Sequence, residues 1–241
     1  LGSAAEMRMA LAQALHHARH RRTFGKRLVD HPLMANVLAD LAIESEAATT
    51  FALRVARAVD RAPRDAGEAA FARIATAAGK YWICKRTPAF VNETQECLGG
   101  AGYVEESILP RLYRQAPLNS IWEGSGNVQC LDVLRALARE PETRVALRAE
   151  LESASGRTPA FDAFATRLIA EIEGAGIGEA GARAVTERLA RALQAAALLR
   201  AGSPVADVFV RQRLAPGHEW AFGSLSGNED AGVILARALP G

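Results

Sequence analysis

Apolar residues recur at helical spacing between Pro32 and Ala62, and this long amphipathic pattern is the strongest constraint on how the chain can fold. Pro32 suits the first turn of a helix, where the amide hydrogen that proline lacks would have no partner. One face of this helix carries Val37, Leu38, Leu41, Ala48, Phe51, Val55 and Val59. Such a face needs other apolar helices to cover it, so a packed helical bundle is expected.

Shorter stretches with the same spacing lie on both sides of this helix. Before Pro141, four helices are predicted over about 3–20, 32–62, 68–98 and a stretch that ends near Ala138. The third is expected to be interrupted or bent near Pro88. After Pro141, amphipathic segments are predicted near 142–154, 159–174, 178–201 and 204–214, followed by a closing helix with Val233, Ile234, Leu235 and Leu239. No segment is predicted to be a strand, so the expected fold is all-α, with a four-helix bundle over 1–138 and a second small helical domain over 139–241.

Composition excludes several classes of function. The formal net charge of +2 excludes a strongly basic chain held on nucleic acid by bulk charge alone. The isolated cysteines Cys84, Cys97 and Cys130 indicate neither a disulfide framework nor a zinc site, and they favour a reducing, cytoplasmic compartment. His16 and His20 have no supporting ligand at a useful spacing, so no metal site is predicted. No apolar run approaches the roughly 20 residues of a membrane helix.

The start of the sequence also carries an expectation. There is no initiator Met, and the chain begins inside a helical pattern. We therefore expect a piece of a longer protein.

A single carboxylate stands between an indole and a glycine in N-S-I-W-E-G-S-G-N, residues 119–127. An apolar periodic run follows at once, so Glu123 is expected at the entrance to a helix, beside backbone that a flat ligand could approach. Trp122 could remove water from the carboxylate, as suits a general base. The alternative is a loop glutamate that caps the helix. These residues alone leave both interpretations open.

Two other segments could contact a cofactor. Residues 21–27 read R-R-T-F-G-K-R, where guanidinium and hydroxyl groups could clamp a phosphate and Phe24 could stack on a planar ring. The alternative is a solvated helix end whose cations offset the helix dipole. Residues 99–102, G-G-A-G, could let backbone N–H groups approach a ligand, or they could form a corner between two helices.

Arginines of the last hundred residues suggest a third kind of site. Arg183, Arg188 and Arg191 fall on one predicted helix and could contact the phosphates of nucleic acid. Glu179 and Glu187 lie close by, so a salt-bridged surface is the alternative.

Three motifs occur in a fixed order: R-x-T-F-G-K at 21–26, L-G-G-x-G-Y at 98–103 and I-W-E-G-S at 121–125. Together they resemble the C-terminal helical domain of the flavin-dependent acyl-CoA dehydrogenases, over about residues 1–138. The surrounding sequence, including P-R-L-Y-R at 110–114 and C-L-D-V-L-R at 130–135, is similar to one branch, the AidB-type proteins of the adaptive response to DNA alkylation. That branch has a second helical module, which is associated with double-stranded DNA.

The resemblance implies a role for each matching residue. Glu123 matches the base that removes the α-proton of an acyl thioester while a hydride passes to the flavin. Gly124 matches a position that touches substrate, and Arg135 is a further candidate for the substrate site. The residues that match neighbours of FAD are Arg21, Thr23, Phe24, His31, Glu96, Leu98, Gly99, Gly100, Ile121, Trp122, Ser125 and Asn127.

The resemblance also implies an assembly. Arg21, Thr23 and Phe24 match residues that reach the FAD of a neighbouring subunit, so a homo-oligomer, expected to be a tetramer, is implied. Some positions depart from the common family pattern: Glu96 and Asn127 stand where glutamine is usual, and Ser125 where threonine is. An acidic Glu96 would repel a pyrophosphate.

The implied function is that of the C-terminal part of an AidB-type FAD protein, associated with DNA in the alkylation-damage response. One alternative is a metabolic acyl-CoA dehydrogenase whose tail is an oligomer interface, and another is a DNA-binding remnant with a vestigial flavin site. The family's N-terminal helical domain and middle β-domain, which hold much of the flavin, are not among these 241 residues. This chain alone is therefore expected to bind FAD poorly and to show no dehydrogenase turnover.

Overall fold

The computed structural model of the chain describes residues 1–174, 176–217, 221–226 and 229–238. Within these ranges the chain forms eleven helices and one two-stranded hairpin. The first six helices are α1 (Gly2–His20), α2 (Pro32–Arg61), α3 (Ala66–Leu98), α4 (Gly100–Tyr103), α5 (Leu109–Gln115) and α6 (Gly126–Arg139). The other five are α7 (Pro141–Glu152), α8 (Pro159–Glu173), α9 (Ala182–Arg200), α10 (Ala206–Arg213) and α11 (Glu229–Ala238). The hairpin pairs β1 (Arg22–Thr23) with β2 (Lys26–Arg27).

The all-α fold predicted from the sequence is confirmed, with four local differences. The short helices α4 and α5 were not among the four helices predicted before Pro141. Pro88 lies inside α3 and does not interrupt it. The helix predicted from residue 178 begins at Ala182, after a 3-10 turn over Glu179–Gly181. The short hairpin was not predicted, because two-residue strands are too short to show an alternating pattern. Leu239, which was predicted in the closing helix, lies outside the described residues. Among the described helices, none is long and apolar enough to cross a bilayer.

Helices α2 and α3 run antiparallel through the middle of the molecule. Glu44 of α2 accepts a hydrogen bond from Arg86 of α3 at 3.2 Å, whereas Arg54, further along α2, bonds Glu68 near the start of α3 at 2.7 Å. Helix α1 packs on both of them. Burial of their apolar faces forms the core, whose largest fully buried side chains in this bundle include Met7, Leu11, Leu15, Leu38, Phe51, Phe71 and Phe90.

The helices that follow Pro141 pack directly on this bundle. Helix α9 contacts both α2 and α3, and its apolar side chains join the same continuous core. Arg213 of α10 is buried and donates hydrogen bonds to Asp40 and, at 3.2 Å, to Glu44 of α2. The domain boundary at residues 138/139 stays a prediction, since one core serves both parts.

Glu6 is a buried carboxyl group of α1 whose oxygens have no hydrogen-bond partner among the described residues. The loss of water on burial raises the pKa of Glu6 from 4.5 to about 7. The folded chain therefore keeps a proton that the unfolded chain releases between these two values. Because the folded state binds more protons in that window, stability falls as the pH rises through it.

We expect Glu6→Gln to raise the free energy of unfolding of this chain by about 1–3 kcal/mol at pH 8 and to change it little at pH 4.5, because the amide needs no proton to stay neutral. Urea unfolding at the two pH values measures the difference. Glu106→Gln replaces an exposed glutamate and is the control. Equal gains at both pH values would contradict the assignment of an elevated pKa to Glu6.

Candidate functional site

Glu123 lies in the tight turn that leads into α6. Its φ is 53° and that of Gly124 is 99°. This left-handed conformation costs a residue other than glycine about 1–2 kcal/mol, so neighbouring groups must hold it. The Glu123 side chain is exposed, and the Trp122 side chain is itself 52% exposed. Contrary to the prediction, therefore, Trp122 does not shield the Glu123 carboxylate from water in this chain by itself.

Two side chains with N–H donors, one ammonium and one amide, hold the carbonyl groups of this turn. The Nζ atom of Lys80, on α3, lies 2.6 Å from the carbonyl oxygen of Trp122, 3.4 Å from that of Glu123 and 2.7 Å from that of Gly124. Gln129 Nε2, on α6, donates to the Glu123 and Gly124 carbonyls at 3.2 Å each. The φ of 99° at Gly124 is one that other residues rarely adopt, and a Cβ atom there would lie 2.5 Å from this same Nε2 atom and displace the Gln129 side chain, so glycine is favoured here.

The start of α6 is braced by neighbouring helices. Ser125 is the N-cap residue, and in this fully described segment no side chain caps α6. The interpretation of Glu123 as a helix cap is therefore wrong. Arg183 Nε of α9 donates to Asn127 Oδ1 at 2.8 Å, so a predicted nucleic-acid residue contacts a predicted flavin residue.

The basic segment between α1 and α2 forms an ordered hairpin. Phe24 lies at its tip with a φ of 47° and is 97% exposed. His31 Nε2 lies 3.1 Å from the Thr23 carbonyl oxygen, and the His31 ring meets Phe24 edge-on at 6.4 Å between centroids. Arg21 is exposed beside them. The hairpin thus presents the Phe24 ring to solvent next to the guanidinium group of Arg21; the exposed ring favours a ligand contact, whereas the exposed guanidinium group fits both interpretations.

The glycine-rich segment forms the corner between α3 and α4. Gly99 ends α3 with a φ of 61°, and a side chain at Gly99 or Gly100 would meet open space. Leu98 is half-buried, whereas Glu96 is exposed and accepts a hydrogen bond from Asn92 at 2.9 Å. The segment is thus a helix corner whose backbone remains open to a ligand.

Gly102 has a different role, because it lets α4 approach α3 closely. A Cβ atom there would lie 2.3 Å from the Gln95 carbonyl oxygen. We expect Gly102→Ala to lower the free energy of unfolding by about 1–3 kcal/mol, since backbone must move to accept the methyl group. Thermal unfolding measures this loss. Gly100→Ala, where the methyl group meets nothing within 4 Å, is the matched control, and similar losses in both variants would contradict the steric argument.

The predicted flavin residues fall into two groups, which lie beside different positions along the length of α3. The antiparallel pairing of α2 and α3 places His31 and the hairpin near the end of α3, where the Gly99 corner also lies. Lys80, which holds the Glu123 turn, lies 18 residues before Leu98, or about 27 Å along the helix. One chain therefore does not bring the two groups together.

Arg135, the further substrate candidate, lies away from the Glu123 turn. It is on α6 nine residues after Gly126, about 14 Å along the axis. Its guanidinium group is exposed and lies 3.4 Å from Asp132. This position gives no support to the substrate role that was predicted for it.

The three tail arginines do not form a common stripe. Arg191 is buried and donates to Glu187 at 2.9 Å. The prediction that it contacts nucleic acid is wrong, because its burial leaves no room for a phosphate. Arg188 forms an ion pair with Glu171 and is half-buried, and Arg183 is exposed. The salt-bridged surface, which was the alternative, describes Arg188 and Arg191.

Sequence reasoning missed Lys80 and Gln129. A polar residue on an amphipathic helix is ordinarily solvated, so neither residue type indicates a contact with a distant turn. One signal was present: Lys80 interrupts the otherwise apolar run from Ala77 to Cys84. A cation at such a position needs partners, and here they are main-chain carbonyls.

The exposed groups allow a test of whether these residues fit FAD, the cofactor that the resemblance implies. Its rings need flat apolar neighbours, and its pyrophosphate needs N–H, hydroxyl or guanidinium donors. Phe24 and Trp122 present exposed rings, and Arg21 presents a guanidinium group. The open backbone at Gly100 and the uncapped first turn of α6 present N–H groups. The residues present fit FAD, and each group supplies part of a site.

Comparison with known proteins places this fold and these motifs in a family. Residues 1–138 match the family described as "Acyl-CoA dehydrogenase, C-terminal domain". The chain is 49% identical over 168 residues to the putative acyl-CoA dehydrogenase AidB of Escherichia coli, an alignment that covers 70% of this chain and 31% of that protein. The chain thus spans about a third of this curated relative.

Two solved structures show the same fold. The Caenorhabditis elegans protein ACDH-11 in complex with C11-CoA gives a TM-score of 0.76 at 24% identity, over 97% of this chain and 40% of that one. An acyl-CoA dehydrogenase from Bacillus anthracis complexed with FAD gives a TM-score of 0.69 at 16% identity, over 100% of this chain and 51% of that one. FAD, which the sequence predicted, is the cofactor that this family indicates. The chain belongs to the acyl-CoA dehydrogenase family, as an AidB-like member of it.

Proposed function

We propose that this chain is the C-terminal part of an AidB-type, FAD-dependent acyl-CoA dehydrogenase in which Glu123 is the catalytic base. The observation that carries the proposal is the exposed Glu123 carboxylate, held at a left-handed turn beside Trp122 where α6 begins. A side chain in so unfavourable a conformation, fixed by neighbours, is typical of a functional site.

In this proposal Glu123 accepts the α-proton of an acyl thioester. When bound, FAD supplies the acceptor for the hydride that leaves the β-carbon. Gly124 has no side chain, which lets the thioester approach the turn. The carboxylate is open to solvent in this chain, so parts of the protein beyond these residues must exclude water from it.

The two groups of flavin residues support a site shared between subunits. Arg21, Thr23, Phe24 and His31, with Glu96–Gly100, would contact the FAD of a neighbouring subunit. Ile121, Trp122, Ser125 and Asn127 would contact the FAD that Glu123 serves. A separation of about 27 Å along α3 favours this division, and the assembly proposed is a homotetramer.

For the helices after Pro141 we propose association with double-stranded DNA in the alkylation-damage response, in a cytoplasmic protein. The support is the similarity to AidB and a groove between α8 and α9 to which the exposed Arg167 contributes, although Glu187 also lines this groove and Arg188 there is paired with Glu171. Arg183 is exposed nearby on α9. Arginine contacts to phosphates release counterions, so the affinity should fall steeply with salt.

The test of the enzymatic proposal is a flavin spectrum of the full-length protein, followed by anaerobic titration with acyl-CoAs of different chain length and branching. Bleaching of the flavin absorbance by at least one acyl-CoA supports the proposal, whereas no bleaching by any would overturn it. For residues 1–241 alone we expect no flavin absorbance. A yellow preparation of this chain would contradict that expectation.

The DNA proposal is tested separately, by titrating the full-length protein with duplex DNA at about 50 and 200 mM salt. Binding that weakens steeply between these concentrations supports it. Bleaching by acyl-CoA without any DNA binding would favour a metabolic dehydrogenase whose tail is an oligomer interface. Salt-sensitive DNA binding without bleaching would favour a DNA-binding protein with a vestigial flavin site.

A further inference from the structure

The Glu123 turn is fixed by a cation from another helix. The three carbonyl oxygens of Trp122, Glu123 and Gly124 all face Lys80 Nζ, at 2.6, 3.4 and 2.7 Å. An ammonium group has three N–H donors, so one side chain can hold all three carbonyls at once. Successive carbonyls of an extended chain point to opposite sides, and only a tight turn brings three of them to one point.

This use of Lys80 differs from that of an ordinary surface lysine. Within the described ranges, Lys80 forms no ion pair with a carboxylate. The side chain is half-buried, and its neighbours on α3, Gly79 and Tyr81, are buried. The charge of the ammonium group is therefore offset by main-chain dipoles of the turn and not by an acidic side chain.

A second side chain reaches the same carbonyls from the opposite helix. Gln129 Nε2 donates at 3.2 Å to the Glu123 and Gly124 oxygens. The peptide groups on the C-terminal side of Glu123 are thus held from α3 and from α6 together. The φ of 53° at Glu123 is unfavourable for a residue with a side chain, and these bonds offset that cost.

We propose that Lys80, assisted by Gln129, is a positioning residue that sets the direction of the Glu123 carboxylate. The backbone torsion at Glu123 decides where its side chain points, and Lys80 fixes the peptide groups on both sides of that residue. Release of the turn would let Glu123 relax to a negative φ and would turn the carboxylate away from its substrate. This assignment rests on the proposed function of Glu123.

The test compares Lys80→Met with Lys85→Met in the full-length flavoprotein. Methionine keeps much of the length of the Lys80 side chain but cannot donate to carbonyls. Lys85 is an exposed lysine on the same helix, so its replacement controls for loss of one charge. Lys80→Arg retains the charge and N–H donors and serves as the conservative variant.

We expect Lys80→Met to lower kcat for the acyl-CoA that bleaches the flavin by about 10–100-fold, because a displacement of about 1 Å at a reacting group has that effect. KM and bound FAD should stay near the wild-type values, and Lys80→Arg should recover part of the lost kcat. A loss of FAD together with a rise in KM would overturn the proposal in favour of a general structural role.

Hydrogen exchange of amides 121–126, measured by mass spectrometry, is a readout that does not depend on turnover. We expect faster exchange there in Lys80→Met and wild-type exchange in Lys85→Met. Equal exchange in the two variants would overturn the role of Lys80. If no acyl-CoA bleached the flavin of the wild-type protein, the proposed function of Glu123 would instead be overturned. The two failures are therefore read from different measurements.

Discussion

Replacing Glu123 with glutamine in the full-length flavoprotein is expected to lower the rate of flavin reduction by acyl-CoA by about 10²–10⁴-fold. The amide has nearly the same size as the carboxylate but cannot accept the α-proton. Since Glu123 is exposed and caps no helix, the substitution should leave folding and FAD content unchanged. Rapid mixing under anaerobic conditions, with the flavin absorbance as the signal, measures the rate.

The matched control for this experiment is Glu106→Gln, which removes an exposed carboxylate outside the turn. Its rate should equal that of the wild-type protein. Suppose that flavin reduction in Glu123→Gln were at most about threefold slower than in the wild-type protein. Because loss of a general base usually slows a reaction much more than this, Glu123 could not be the base.

Replacing Arg213 with leucine is expected to lower the free energy of unfolding by about 3–5 kcal/mol, the largest effect on stability that we predict. The side chains of Arg213, Asp40 and Glu44 are 5%, 1% and 3% exposed. Leucine would leave the two carboxylates of α2 buried with less compensation, although Arg86 still pairs with Glu44 and the amide of Gly223 donates to Asp40 at 2.9 Å. Urea unfolding of this chain at pH 7 measures the loss.

The pH dependence of this loss is a second measurement on the same variant. Burial raises the pKa of Glu44, but Arg86 and Arg213 together lower it more, so the net pKa lies below its ordinary value of 4.5. A carboxyl group whose pKa is lower in the folded state stabilises the fold at pH values above its ordinary pKa. This stabilisation is lost as the pH falls through the pKa of the folded state. The difference between wild type and Arg213→Leu should therefore shrink in acid.

Arg114→Gln is the control for the ion-pair argument. Arg114 and Glu105 form an ion pair whose side chains are 60% and 70% exposed. Water solvates both charges after the pair is broken, so stability should be nearly unchanged. A loss as large as that of Arg213→Leu would show that burial is not what makes the Arg213 cluster important.

The sequence predicted the helices well because the signals for a helix are local. The apolar stripe of α2, the Pro at its start and the glycine at the end of α3 lie within a few residues of the structure they specify. The hairpin at residues 22–27 escaped prediction because its strands are too short to carry a period. The continuous passage of α3 through Pro88 escaped it because packing on neighbouring helices outweighs the lost hydrogen bond.

The candidate site was predicted in part. Glu123 lies at the entrance to a helix, as expected from the run of apolar residues after it. The motif order also indicated the family, which the comparison confirms. The burial of Arg191 could not be predicted, because its surroundings come from other segments, with Phe164 of α8 beneath its guanidinium group and the Arg213 carbonyl accepting its hydrogen bond.

The sequence by itself determined the long helices, where they end and which family motifs they carry. Only the tertiary structure decided that Lys80 holds a turn more than forty residues away, that Arg213 pairs with carboxylates of α2, and that Arg183 contacts Asn127. The reason is physical. A helix is specified by neighbours along the chain, whereas the partner of a polar side chain depends on which helices the burial of apolar surface brings together.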